Sequence, residues 1–145
     1  MHQLSRNELY AIASLVSATA IALYYLIAVI GWPGGDGPLL EGLRGPLLKT
    51  FGLAVIIEAV IEASRSGRVD KDERDRLVEG RSFRNAYVFL SVCVVGLLGH
   101  AALFLFVMPD ALGPTDVHMF HFLVMAVLLA SSVNHASRLF FYLRG

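Results

Sequence analysis

The chain has 145 residues, of which 56% are hydrophobic, and its 12 basic and 12 acidic residues leave no net charge. That balance offers no basic face to displace counterions from a phosphate backbone, which argues against nucleic-acid binding. Cys93 is the single cysteine, so an intrachain disulfide, a CxxC zinc site and a dithiol redox motif are all excluded.

Charged residues make up 17% of the chain, against about a quarter in ordinary soluble proteins, and the mean hydropathy is +0.62. The charges are also segregated, with long stretches almost free of them. This is the pattern of a chain that spans a bilayer, whose core of ~30 Å takes about 20 apolar helical residues to cross.

The first predicted span covers about 9–30. Ala18-Thr19-Ala20 resembles a signal-peptide cleavage site, but the apolar run continues through Ile30, so a retained helix is expected. Ser14, Ala18 and Ala22 recur every fourth residue, a row of small side chains suited to close helix contact. The connection that follows, Gly31 to Gly45, is rich in glycine and proline and cannot be a helix interior. Trp32 suits the interfacial aromatic belt, with Leu39, Leu40 and Leu43 against the membrane surface.

The second span is predicted over 46–63, with Pro46 as its first residue, where its missing N–H costs nothing. Then comes a charged segment, 64–84. It holds seven of the 12 basic residues, Arg65, Arg68, Lys71, Arg74, Arg76, Arg81 and Arg84, among Asp70, Asp72, Glu73, Asp75 and Glu79. Asp70 is placed to cap a helix starting at Lys71, with Glu73 completing a capping box, and Asp72 and Arg76 are spaced for an ion pair. The third helix is therefore expected to begin well before its apolar part, 85–108, where Gly96 and Gly99 thin one side. The connection 109–116 has no Lys or Arg. The fourth span covers 117–142, with a small-residue row of Ala126, Ala130 and Asn134.

Basic residues stay on the cytoplasmic side of a membrane, whereas acidic ones count little. The 64–84 segment is then inside and 109–116 outside. Ten of the 12 basic residues fall inside, with Arg44 and Lys49 as the exceptions. The expected fold class is all-α: an integral membrane four-helix bundle, single-domain, with N- and C-termini cytoplasmic and the third helix extended into the cytoplasm.

Asp72-Glu73-Arg74-Asp75, followed by Arg81 and an apolar helix with Ala86-Tyr87, resembles a signature of small bacterial and archaeal membrane proteins of unknown function. The closing Tyr142-Leu143-Arg144-Gly145 resembles the ending of some of them. The resemblance covers the second half of the chain. It implies a multi-pass protein of a prokaryotic inner (plasma) membrane. Some such proteins are encoded beside small DNA-binding regulators, which implies a role as a membrane partner.

Ionisable groups inside spans are costly and mark candidate sites. Towards the outside lie His100, about 12 Å deep at the helical rise, and His118 and His121, three apart on the fourth helix. If they converge, they could hold a transition metal, or His100 and His121 could ligate a haem b iron. If they do not, they are hydrogen-bonded structural residues, and no cofactor is the simpler expectation. Towards the inside lie Glu58, Glu62, Asn134 and His135. Glu58 is expected to face the bundle and to pair with His135 or Asn134, as a proton or cation site or as a staple between helices. Glu62 lies near the surface, within reach of Arg65. In the charged segment, Asp72, Glu73, Arg74, Asp75, Arg76 and Arg81 are candidate docking residues for a cytoplasmic protein, or else a solvated helix face.

No nucleophile elbow or triad is present, so a non-enzymatic role is expected: an accessory, sensor or regulatory partner acting through the charged segment. The alternatives are a haem- or metal-binding redox protein and a small proton- or cation-coupled transporter. The lipid bilayer is the expected partner, with a cytoplasmic protein or a second copy beside it.

Overall fold

The computed structural model describes residues 5–31, 44–66, 72–107 and 116–144, all of them helical apart from helix ends. Four helices follow one another: α1 (Arg6–Tyr24), α2 (Arg44–Ser66), α3 (Glu73–Ala102) and α4 (Asp116–Arg144). α1 runs on into a π-helical turn, Tyr25–Val29, and α3 into another, Leu103–Val107. The expectations for Trp32, for Leu39, Leu40 and Leu43, for Asp70 and Lys71, and for the 109–115 connection lie outside the described residues, as does the Arg65 side chain.

The helix starts have local causes. Ser5 caps α1 and forms a capping box with Glu8. The Ser5 Oγ accepts from the Glu8 N–H, and the Ser5 N–H donates to the Glu8 carboxylate at 2.6 Å, so two otherwise orphaned N–H groups are satisfied. At the far end, Gly31 adopts φ 79°, the left-handed conformation that a side chain disfavours, and ends the helix. The described cap of α3 is Asp72, two residues later than expected. Its carboxylate accepts from the Arg74 N–H at 2.8 Å, and Glu73 and Asp75 fill the first turn, where the helix dipole favours acids. Asp72 thus caps the helix rather than serving as the expected partner of Arg76.

α4 is the central helix. α1 packs along one side of it, α3 along another, and α2 lies against α1. The small-residue row of α1 sits in its contact with α4, where Ala11, Ser14, Ala18 and Ala22 are buried. Ala126 and Ala130 of α4 are buried too, on the side of that helix that carries Met119, Phe122 and Ser137 towards α3. Ile21, Ala22, Tyr25, Val29, Val124 and Leu128 form the main apolar cluster, with Leu47, Ala54 and Ile57 of α2 packed on it. The buried hydroxyls of Thr50 and Ser82 bond back along their own helices, to the Pro46 carbonyl at 2.8 Å and the Val78 carbonyl at 2.7 Å, so neither is stranded.

α3 departs from the compact bundle expected of it. Its buried residues, Asp75, Val78, Ser82 and Ala86, all belong to its charged first half. Past Ala86 no described residue of α3 is fully buried. Gly96 and Gly99 are exposed, and a side chain at either would meet nothing within 4 Å.

Among the described residues, three helices are long and apolar enough to cross a membrane: Arg6–Val29, Glu73–Phe106 and His118–Arg144. Four spans were expected. α2 is the one not among them, since Lys49, Glu58 and Glu62 interrupt its apolar stretch.

Candidate functional site

The polar side chains gather at the end of the molecule where α3 begins. Glu58 of α2 meets His135 of α4, with Oε1 to Nε2 at 2.9 Å. The His135 ring is buried, while the Glu58 side chain is 41% exposed. Of the two partners expected for Glu58, the structure selects His135. Asn134 is half-buried; one residue earlier, it points about 100° away around the helix.

One turn after His135, Arg138 reaches α3 and bonds the Glu79 carboxylate. α3 is tied down twice more. Asn7 of α1 donates through Nδ2 to both oxygens of Asp75, at 3.1 and 3.2 Å, and the Arg74 guanidinium donates to the Tyr142 carbonyl at 3.3 Å. Asp75 is only 5% exposed. A carboxylate so placed is tolerable because it is hydrogen-bonded. Further along, Asn85 donates to the Ser137 hydroxyl at 3.2 Å. On the α2 side, the Tyr10 hydroxyl donates to the Ser64 carbonyl at 3.1 Å.

These contacts enclose a cavity of about 20 Å³ lined by Asn7, Tyr10, Ser14, Glu58, Glu62 and Arg138, among others. That is room for one water molecule with several polar partners. Asn7 Oδ1 and Arg138 Nε, both buried, have no protein partner. Glu58, Glu62 and His135 therefore do come together, in company with three residues the sequence did not single out: Asn7, Glu79 and Arg138.

The histidines at the other end separate. His121 is 4% exposed and shares a 2.7 Å hydrogen bond through Nδ1 with the hydroxyl of Tyr25, which is wholly buried. Its ring also lies against Phe120. His100 and His118 are exposed instead, and both line an apolar cavity of about 380 Å³ between α3 and α4, with Cys93, Gly96, Met119 and Phe122. His100 stacks edge-on with Phe104 at 4.9 Å.

Three residues turn a helix by about 300°, so His118 and His121 diverge by roughly 60°. On a helix flanked by α1 on one side and α3 on the other, that offset gives them different neighbours. His100 and His121 thus do not share a cavity as two axial haem ligands must. Among the described residues, no group of three or more His, Cys, Asp or Glu could hold a metal ion.

The docking residues also divide. Asp72 caps α3, Asp75 is buried against Asn7, and Arg74 binds the Tyr142 carbonyl. Glu73, Arg76 and Arg81 are exposed, with the Arg81 guanidinium 5.9 Å from the Phe141 ring centre.

Comparison of the chain with protein-family models, with curated proteins and with solved structures finds no match.

Proposed function

We propose that the chain is a multi-pass protein of a prokaryotic inner membrane, in which α2 crosses as a fourth, more polar span beside the three apolar ones, so that both termini and the 64–84 segment are cytoplasmic. In this reading it is a non-enzymatic sensor or regulatory partner whose cytoplasmic helix extension is coupled to a titratable pair within the bilayer. The membrane assignment is supported by α3. None of its most apolar 18-residue stretch is buried, and Val88, Val92, Val95, Leu98, Leu105 and Phe106 are all more than half exposed. An apolar patch of that extent is at odds with water and suits lipid.

The single observation that carries the coupling is the position of Arg138. It lies one turn from His135, lines the Glu58–Glu62 cavity, and holds Glu79 on the opposite helix. A change in the Glu58–His135 pair therefore reaches α3 through one side chain. The surface left to a cytoplasmic partner is the outward face carrying Glu73 and Arg76.

The test uses a Cys93→Ser background. A cysteine at Glu73 should react with a membrane-impermeant maleimide only from the cytoplasmic side, and one at Asp110 only from the outside. A fluorophore on a cysteine at Arg76 should then change its emission in the Glu58→Gln variant. Reversed labelling sinks the topology; an unchanged emission sinks the coupling.

A further inference from the structure

A second cavity, of about 350 Å³, lies at the charged end between α3 and α4, on the far side of α3 from the Glu58–His135 pair. Arg74, Leu77, Val78 and Arg81 line it from α3, and Phe140, Phe141 and Arg144 from α4. Residues 74, 77, 78 and 81 follow the i, i+3, i+4, i+7 spacing of one helical face. That face carries two arginines and no acid, although α3's first turns are rich in both signs. The acids have been drawn elsewhere: Asp72 into the cap, Asp75 onto Asn7 and Glu79 onto Arg138. Three guanidinium groups are thus left around an apolar floor. Arg81 lies over the Phe141 ring and Arg144 over the Phe140 ring, 4.8 Å from its centre. Leu77 and Phe140 are each about half exposed, at 56% and 48%.

We propose that this cavity binds the headgroup of an anionic phospholipid of the cytoplasmic leaflet. The inference rests on the membrane topology given above, but not on the Glu58–His135 coupling. Guanidinium groups match phosphate oxygens in charge and hydrogen-bonding geometry. Two of the three are held by stacking on phenylalanine, and Arg74 is positioned by its bond to the Tyr142 carbonyl, so little ordering is needed on binding. The height is right as well. The cavity lies where the charged part of α3 gives way to its apolar part, the level of the phosphates in a bilayer. The apolar floor favours a lipid over a free phosphate or an acidic protein segment, because Leu77 and the two phenylalanines would contact the upper acyl chains. Basic pockets between membrane helices on the cytoplasmic side are suited to such headgroups, each arginine adding a factor of about five in affinity.

The experiment reconstitutes the full chain into phosphatidylcholine vesicles and measures the association of spin-labelled phosphatidylglycerol relative to spin-labelled phosphatidylcholine. The wild type should prefer the anionic lipid. The Arg81→Gln/Arg144→Gln double variant should lose at least tenfold of that preference, and Arg81→Gln alone about fivefold. Arg81→Lys should keep part of it, and Arg76→Gln, which removes the same charge from α3 outside the cavity, should keep all of it. The single variant decides the matter if the double variant proves unfolded by its thermal transition. Equal preference in wild type and Arg81→Gln overturns the proposal. So does an equal loss in Arg76→Gln, which would make the effect a diffuse surface charge. Displacement of the labelled lipid by millimolar inorganic phosphate would overturn the choice of a lipid. Maleimide labelling of a cysteine at Glu73 in the same vesicles tells a chain that has failed to insert from one that inserts without lipid preference.

Discussion

At the residue level, the charged segment shows how one stretch of sequence serves opposite purposes. Asp72, Glu73, Arg74, Asp75 and Arg76 are consecutive and look alike in composition. Yet Asp75 is 5% exposed and receives two hydrogen bonds from Asn7, while Glu73 and Arg76 are exposed. The difference is angular, since each residue turns the helix by about 100° and only one direction meets α1. Asp75→Ala strands the Asn7 amide and should destabilise the protein by about 1–3 kcal/mol. Glu73→Ala should change stability by no more than about 0.5 kcal/mol. Thermal unfolding in the same detergent compares the two, and equal shifts would contradict the burial described for Asp75. The expectation that Glu58 faces the bundle and pairs across it was legible because a carboxylate facing hydrocarbon is so unfavourable. The pairing of Glu79 with Arg138, 59 residues apart, was not legible, because both sit in charged surroundings with many alternative partners.

At the level of elements, the small-residue row of α1 defines the tight contact with α4. Ala22 is 4% exposed within the α1–α4 cluster, whereas Val95 on α3 is 67% exposed. Ala22→Leu should overpack the contact and cost about 1–3 kcal/mol, while Val95→Leu should be close to neutral. Unfolding by denaturing detergent measures both; a neutral Ala22→Leu would mean that α1 and α4 are not in close contact. Gly96 and Gly99 thin one side of α3 in the sequence, but no neighbour comes within 4 Å of where a side chain at either would sit, and Gly96 lines an open cavity instead. Periodicity reveals that a helix has a thin side and says nothing of which neighbour, if any, fills it. The capping box at Ser5 and Glu8 was readable from its S-x-x-E spacing, yet the reading of the first span began later, at its apolar run.

At the level of the whole molecule, α4 is the hub: α1 and α3 pack along it, and α2 lies on α1 and reaches α4 through Glu58 and His135. The first turns of α3 also meet α1, through Asp75 and Asn7. In the Cys93→Ser background, cysteines at Asn85 and Ser137, whose side chains are hydrogen-bonded in the native chain, should link α3 to α4 on mild oxidation. Cysteines at Val55 and Val92, on α2 and α3, should give no crosslink within one chain. Gel mobility reads the outcome, and an intramolecular Val55–Val92 link would disprove the separation of α2 from α3.

By itself, the sequence determined that the chain is helical and how many helices it has. It also placed the apolar runs and the charged start of the third helix. These follow from hydropathy, helical rise and the cost of exposing polar groups, all of which act along the chain. Only the tertiary structure decided which sides of the helices meet. It separated His121 from His100 and His118, drew Asp75 and Glu79 inward while leaving Arg81 and Arg144 around an open cavity, and set Arg138 between the two polar layers. Those outcomes turn on the rotation of each helix about its own axis. A rotation of about 60° suffices to exchange one neighbour for another, and no local pattern in the sequence specifies it.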